Sequence, residues 1–518
     1  MAKFNTRSAV VVRRSPVVTG PAPVGLTYEG APGFARDAKG ELFLLAVAIM
    51  MGEGSFYEDA ATRDSRYEAL VARVAVEDPQ WMARFVRWLR DGANMRSASL
   101  VAALQAAKAM VDAGITGSRS IVDSALQRAD EPGEALAWWT GRYGRAIPKP
   151  VKRGIADAVR RLYTQFALLR YDTGSKGFRF GDVLELTHPA PVSPEQGELF
   201  AWALTRRHGR SQDVPASLPM VAANAALRRT AATDPRVLLD VDALRAAGMT
   251  WEDALSLAGS GVDRAALWTA LIPTMGYMAL LRNLRNFDEA GVSDEVAATV
   301  AQRLADPEEV AKSRQFPFRF LAAYRAVPSV RWAPALERAL NASLSNVPAL
   351  PGRTLILVDQ SGSMYSPVAG FRSRVSRADV ARVFGAALAL RAEEPTLVWF
   401  DSDSGQVPVP RGIALLKLIE SFPRRGGGTN TAAAVRQWYD RHDRVVIVTD
   451  EQAHYDGERD VTAPVPRQVP VYTWNLAGYR FGHAPSGLGN RHTFGGLTDA
   501  AFQAIPLLER GQDADWPF

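Results

Sequence analysis

The apolar pattern of this chain changes period once, and that change sets the architecture. From about residue 37 to about residue 345, apolar residues recur at helical spacing. They are interrupted roughly every 15 to 30 residues by breakers such as "DAGITGS", "DEPGE" and "HPAPVSPEQ". Past "NVPALPGRTLILV", short β-rich runs alternate with helical ones. A helix buries one stripe and a sheet buries a face, so the two patterns need separate cores. At 518 residues the chain also exceeds the size at which one core usually stops growing. The reading is an N-terminal arm over 1–24, a helical-repeat domain over 25–347 and an α/β domain over 348–518.

In the helical part, "YEALVARVAVEDPQWMARFVRWLR" with "SASLVAALQAAKAMVDAG" reads as one antiparallel pair. "WEDALSLAG" with "RAALWTALIPTMGYMALLRNL" reads as another. No strict repeat period survives, so the pattern is that of a degenerate, HEAT-like α-solenoid. In the C-terminal part the strands are 354–358, 396–400, 444–449 and 471–476, with helices in "ADVARVFGAALALRAE" and "TAAAVRQWYDRH" between them. Buried strands alternating with helices make a doubly wound, mostly parallel sheet, whose ligands sit at the carboxyl ends of the strands.

Composition excludes several chemistries. The chain has no cysteine, which removes disulfides, thiolate nucleophiles and cysteine-ligated metal centres, and fits a reducing cytoplasm. Leu42–Met51, the longest apolar run near the start, is far shorter than the roughly 20 residues a spanning helix needs. It reads as a buried core helix, and no membrane segment is expected. Arg13 and Arg14 superficially resemble an export signal, but Pro16, Pro21 and Pro23 break any apolar run after them. An arm, ordered or fraying, is the better reading.

"LILVDQSGSM" (355–364) places Asp359 at the end of the first strand of the α/β part, with Ser361 and Ser363 after it. Asp450 ends the third strand, and Thr429 follows three glycines in "RRGGGTNT". Asp359, Ser361, Ser363, Thr429 and Asp450 make an all-oxygen set suited to a hard divalent cation such as Mg²⁺. A helix N-cap or tight turn is the alternative for the Asp-x-Ser-x-Ser element alone. No Gly-Lys-Ser/Thr follows "GGGT", which argues against a phosphate loop. The whole set resembles the von Willebrand factor A domain and its metal-ion-dependent adhesion site over about 350–510. In that family a partner's carboxylate usually fills the open coordination position.

The six histidines form no HExxH or other metal-ligand spacing, and no Gly-x-Ser-x-Gly element is present. Charge is concentrated instead. Against a net +6 for the chain, Thr140–Phe180 carries ten basic residues and two acids, Asp157 and Asp172. The bases are Arg142, Arg145, Lys149, Lys152, Arg153, Arg160, Arg161, Arg170, Lys176 and Arg179. Lys149, Lys152, Arg153 and Arg160 share one helical face with Ala156, while Val151, Ile155, Ala158, Val159 and Leu162 serve the core. Such a stripe is either a phosphate-binding footprint or an ordinary solvated face. Arg282, Arg285 and Arg314 stand near aromatics in "LLRNLRNF" and "SRQFPF", a pairing that grips single-stranded ends; core helices with snorkelling arginines are the alternative.

"GRYGRAIPKPVKRGIADAV", "LLRYDTGSKGFRFGDVLELTHPAP", "MTWEDALSLAG", "ALLRNLRNF" and "SRQFPFRFLAAYRAV" resemble, in order, blocks of the TROVE module of the Ro autoantigen family. With the A domain after them, the likeness spans roughly residues 25 to 510. It implies a closed, monomeric ring of helical repeats. It further implies Y or Y-like small RNA on the outer basic surface, and single-stranded 3′ ends of misfolded or precursor RNA in the hole. The absence of cysteine and the compact loops fit a bacterial member. In bacteria the family is associated with 3′-to-5′ exoribonucleases such as polynucleotide phosphorylase. Arg170 and His188 align with family RNA contacts and Lys176 replaces a nearby arginine. A one-residue insertion in "DTGSKG" and the acid at Asp172 set that loop apart, and His188 is equally readable as a structural histidine. The resulting expectation is a noncatalytic, cytoplasmic RNA-binding protein for RNA quality control or maturation. A metal-dependent protein-interaction module on a helical scaffold is the alternative, and no nuclease-like acidic cluster supports an enzyme.

Overall fold

The computed structural model describes residues 15–48, 50–209, 213–327, 329–368 and 374–518. Arg13, Arg14 and the first part of the arm lie outside them. The chain divides into two compact units. Among the described residues, one comprises those from 15 to Leu70, Phe316–Ala322 and Leu340–Phe518; the other comprises Val71–Gln315 and Ala323–Ala339. These compact units differ from the division read from sequence at 24 and 347. The N-terminal segment joins the C-terminal α/β unit because its backbone pairs there. Strand β1 (Gly25–Leu26) pairs antiparallel with β2 (Pro32–Ala35). β2 in turn pairs with the short strand Phe481–Gly482. Further back, the Thr19 amide donates to the Ser486 carbonyl at 3.1 Å. The apolar helix read at Leu42–Met51 is α1 (Ala38–Ala48), buried from Leu42 onward. No described helix is long and apolar enough to cross a membrane.

The α/β sheet is built on β3 (Leu350–Asp359), β4 (Ala392–Phe400), β5 (Ser404–Gln406), β6 (Arg444–Thr449), β7 (Val471–Asn475) and β9 (Arg491–Gly495), with Phe481–Gly482 as β8 outside it. Its order is β5-β4-β3-β6-β7-β9, all parallel except the edge strand β5. The four expected strands are the four central ones. β9 escaped sequence reading because "RHTFG" is short and lacks an apolar run, although all five of its residues are buried. The central strands are buried on both faces, as a sheet covered by helices requires. Helix Arg377–Arg391 starts with a reciprocal Ser376–Asp379 capping box and packs so closely on the sheet that a Cβ on Gly385 would overlap Val358.

The second unit is helical throughout. The stretch expected to form one long helix from Tyr67 is two, α2 (Ala60–Glu77) and α3 (Pro79–Asp91). The break is chemical. The Asp78 carboxylate accepts the Trp81 amide at 3.0 Å as an N-cap, and Pro79 has no amide to continue the ladder. The helices that follow are α4 (Arg96–Asp112), α5 (Ser118–Ala125), α6 (Glu131–Tyr143), α7 (Lys149–Leu162), α8 (Gln165–Tyr171) and α9 (Phe180–Thr187). "RAALWTALIPTMGYMALLRNL" is likewise split at Pro273, into Arg264–Leu271, a 3-10 turn and Tyr277–Glu289. Pro79, Pro194, Pro219 and Pro307 each open a helix, the position where a missing amide costs nothing.

Candidate metal centre and basic face

β3 and β6 are parallel neighbours with Val358 opposite Val448. The residues just past that pair, Asp359 and Asp450, are therefore brought together at the carboxyl edge of the sheet, where a doubly wound fold binds its ligands. All five members of the predicted oxygen set are buried: Asp359 and Asp450 are 0% exposed, Ser361 and Thr429 1%, Ser363 4%. The Ser361 amide donates to Asp359 Oδ1 at 2.8 Å, and the Ser361 and Ser363 hydroxyls are 3.3 Å apart. The Thr449 hydroxyl donates to Asp359 Oδ2 at 2.6 Å, and the Gln452 amide to Asp450 Oδ1 at 3.0 Å. Among the described residues Asp450 Oδ2 has no partner within hydrogen-bond geometry.

The glycine loop is shaped around its neighbours. The Gly427 amide donates to Asp401 Oδ2 at 3.0 Å, and its carbonyl accepts the Gly362 amide at 2.8 Å. A Cβ on Gly428 would overlap the His454 imidazole. The three glycines therefore let the backbone that leads into Thr429 pack against Gly362, Asp401 and His454.

Burial, and then the charge of Asp450, push the Asp359 carboxyl up to about 7; the Thr449 and Ser361 hydrogen bonds offset this only in part. Asp450 is also raised, chiefly by burial. Two carboxylates in a water-poor site without a bonded arginine or lysine repel one another unless a cation or a proton lies between them. The unpartnered Asp450 oxygen, the adjacent Ser361 and Ser363 hydroxyls and the buried Thr429 suit a small, hard, divalent ion. Among the described residues no three His, Asp or Glu side chains converge. A site here therefore has two carboxylates and three hydroxyls, the low-charge set expected for an ion that keeps waters.

The basic stripe lies on α7. Val151, Ile155, Ala158 and Val159 are buried with Gly154, whereas Leu162 is only half-buried. Lys149, Arg153 and Arg160 are exposed and Lys152 half-exposed. None of these four forms an ion pair among the described residues. Other bases of the segment are neutralised by acids distant in sequence. Arg161 pairs with Asp123 at 2.7 Å, and Lys176 with Asp130 and Glu134 at 3.3 and 3.5 Å. Asp172, 3% exposed, accepts Arg179 at 2.9 Å, Arg206 at 3.2 Å and the Phe180 amide at 2.9 Å. The acid that sets this loop apart is a structural anchor. Arg142 lies over Trp138, and Arg145 is exposed. Arg170 is exposed, with its guanidinium 5.5 Å from the Tyr171 ring and 6.0 Å from Phe166, itself 44% exposed.

His188 resolves into two parts. Its backbone is left-handed (φ 48°) and caps α9 through a 2.9 Å bond to the Leu184 carbonyl, while the residue is exposed. Arg282 and Arg285 lie on the exposed face of Tyr277–Glu289, Arg285 paired with Glu289 at 2.7 Å. Arg314 ends Pro307–Ser313 in a left-handed conformation. The aromatics read beside these arginines do not stand ready for bases. Phe287 is buried among Trp268 and Trp332, and Phe316 and Phe318 stack on each other in the core. Sequence reasoning missed Thr449, Asp401 and His454. Only the aspartate carried a signal, as an acid ending the strand read at 396–400.

Fold and site define a helical-repeat protein with a doubly wound α/β unit that carries a buried acid–hydroxyl cluster. Comparison makes this more specific. The TROVE domain family matches residues 245–332. The crystal structure of the Deinococcus radiodurans RO (RSR) protein superposes with a TM-score of 0.61 at 17% identity, covering 91% of this chain and all of that one. Telomerase protein component 1 from Rattus norvegicus is 47% identical over 77 residues, and that from Mus musculus 44% over 80. Those stretches are 14% and 15% of this chain, and the chain spans only 3% of the length of either relative. Residues 245–332 match the TROVE domain family, and the chain is similar in fold to the Deinococcus radiodurans Ro protein.

Proposed function

We propose that this chain is a noncatalytic RNA-binding protein that takes structured RNA on the exposed face of α7. The observation that carries the reading is the selective neutralisation just described. Folding pairs Arg161, Lys176 and Arg179 with carboxylates and leaves Lys149, Lys152, Arg153 and Arg160 unpaired along one helix. Unpaired cations at helical repeat distance are what a phosphate backbone recognises. Arg145 and Arg170 add to the same class of residue, and the Arg170–Phe166 pair offers a base a stacking surface. The RNA is a Y or Y-like small RNA. Single-stranded ends of misfolded or precursor RNA are a second ligand, served through charge rather than stacking, since the nearby aromatics are buried; of Arg282, Arg285 and Arg314, the last two are engaged by Glu289 and Asp91, which leaves Arg282 as the principal contact. Crosslinking the purified protein to its native RNA and sequencing the adducts tests this: one discrete structured RNA, crosslinked through 142–170, supports it, and no enriched RNA refutes it.

The α/β unit would hold Mg²⁺ through Asp359, Ser361, Ser363, Thr429 and Asp450. When bound, the ion supplies a coordination position for an acidic side chain. Here it serves docking, for example of a 3′-to-5′ exoribonuclease, so that RNA held by one unit is presented to a partner held by the other. The support is the unpartnered Asp450 oxygen beside an acid pair raised by burial.

A further inference from the structure

A cavity of about 420 Å³ lies in the α/β unit, where the loops leading into β7 and β9 meet the N-terminal segment at Pro21. Because β6, β7 and β9 run parallel, these loops enter at the amino edge of the sheet, opposite the edge where Asp359 and Asp450 stand. Pro21, Val465, Pro485 and Leu488 give the cavity apolar walls. Three arginines, Arg459, Arg467 and Arg491, line it together with a single acid, Asp460.

Arg491 opens β9 and is 7% exposed. All its bonds go to neutral oxygens. Nε donates to the Thr462 hydroxyl at 2.8 Å, Nη2 to the Thr462 and Val465 carbonyls at 3.2 and 2.6 Å, and Nη1 to the Val469 and Gly489 carbonyls at 3.0 and 3.4 Å. These bonds hold the two loops in place, yet no carboxylate bonds the guanidinium. Asp460 is spent on the Thr462 amide and hydroxyl, at 2.8 and 2.6 Å. Arg459 gives one donor to the Pro21 carbonyl at 2.9 Å, and neither it nor Arg467 forms an ion pair among the described residues. Both are exposed, so their remaining donors are available. The facing wall is a tight turn with Gly487, Gly489 and Asn490 all left-handed, which displays Leu488 at 37% exposure. The Asn490 side-chain amide ties this turn to the Arg467 and Gln468 carbonyls, both at 3.2 Å.

Three positive charges against one leave an excess of two in a cleft with low-dielectric walls, an arrangement that focuses its field on an entering anion. A phosphate monoester carries about −1.5 to −2 at pH 7, and arginine is the side chain that best matches its oxygens. The volume lies within the range of small-ligand sites, about 300 to 1,000 Å³. Thr462 and Asp460 already bond each other and Arg491, so the walls offer a ligand's body apolar surface rather than partners for many hydroxyls. We propose that this cavity binds a nucleoside monophosphate as a free small molecule, its phosphate on Arg459 and Arg467 and its base against Pro485 and Leu488. Arg491 adds charge and holds the walls. The site is separate from α7 and from the acid–hydroxyl cluster.

Isothermal titration of the full chain with AMP, adenosine, inorganic phosphate and glucose 6-phosphate tests this. AMP should bind saturably. The other three, each lacking the charge or the aromatic body, should bind at least about tenfold more weakly. Arg459→Gln and Arg467→Gln should each weaken AMP about tenfold, the loss expected for one charge-assisted contact. Both side chains are exposed, so an unchanged thermal midpoint controls for folding. The double variant Lys152→Gln, Arg153→Gln on α7 should bind AMP like wild type. Absence of saturable AMP binding overturns the proposal, as does AMP affinity unaltered in both Arg459→Gln and Arg467→Gln. Inorganic phosphate or glucose 6-phosphate matching AMP overturns the assignment of a nucleotide. Loss of AMP binding in the α7 variant alone would place the nucleotide on the RNA face and also overturn it.

Discussion

Replacing Lys149, Lys152, Arg153 and Arg160 together by glutamine removes four unpaired cations from α7 without touching Val151, Ile155, Ala158 or Val159. If each cation neutralises one RNA phosphate, counterion release contributes roughly 0.7 to 0.9 to the log–log salt slope per contact, and about 3 for the four. Between 50 and 200 mM salt, a slope difference of about 3 corresponds to roughly 60-fold. Wild-type affinity should therefore fall about 60-fold more than that of the variant over this range, read by filter binding or anisotropy with a structured RNA. Fold loss is separable. Surface substitutions away from caps and pairs usually change stability by about 0.5 kcal/mol or less each, so the thermal midpoint should move only a few degrees. Arg161→Gln is the internal control. It removes an equal charge, but one already engaged by Asp123 at 2.7 Å, and should leave the slope nearly unchanged. A well-folded quadruple variant with the wild-type slope would show that α7 presents a solvated face and not an RNA contact.

Three further outcomes follow from the same structure. Mg²⁺ at about 100 times its dissociation constant should stabilise the wild type by about 2.7 kcal/mol at pH 7.5 in thermal or chemical unfolding, and Asp359→Asn should abolish this while RNA affinity changes by less than about threefold; a large RNA loss with chelator would refute the separation of functions. His483 is fully buried, its ring nitrogens have no hydrogen-bond partner among the described residues, and burial depresses its pKa to about 4. Below about pH 6.5 the unfolded chain binds a proton that the native state refuses, so stability is intact above 6.5 and is lost as pH falls toward 4; at pH 5 the wild type should have lost about 2 kcal/mol more than His483→Leu, and parallel pH profiles would count against the burial argument. Gly385→Ala gains roughly 1 kcal/mol of helix propensity but forces a Cβ into Val358, a clash costing about 1–3 kcal/mol, so urea melts should show a net loss of about 1 kcal/mol; a stabilised variant would mean that β3 and its helix can move apart.

Local chemistry determined much of this protein by itself. The change of apolar period separates helices from alternating strands and helices, because a 3.6-residue stripe and a buried strand are different solutions to hiding apolar surface. Strand propensity placed β3, β4, β6 and β7, and the rule that ligands sit at carboxyl ends brought Asp359 and Asp450 to one edge before any coordinates. Punctuation was less legible. Asp78-Pro79 and Ile272-Pro273 cut helices that apolar periodicity alone would run through, since a missing amide and a side-chain cap outweigh a continuing stripe. What only tertiary structure decided is which charges remain free and where the N-terminal segment pairs. Asp123, Asp130 and Glu134 neutralise Arg161 and Lys176 from tens of residues away, so a linear count of bases overstated the available face and could not tell Lys176 from Lys149. The N-terminal segment reaches the stretch that follows Asp450 across more than four hundred residues of sequence, because β2 pairs with β8 and the 27–31 turn bonds to 452–454. Side-chain pairing depends on distances through space, and one-dimensional spacing encodes these only within an element.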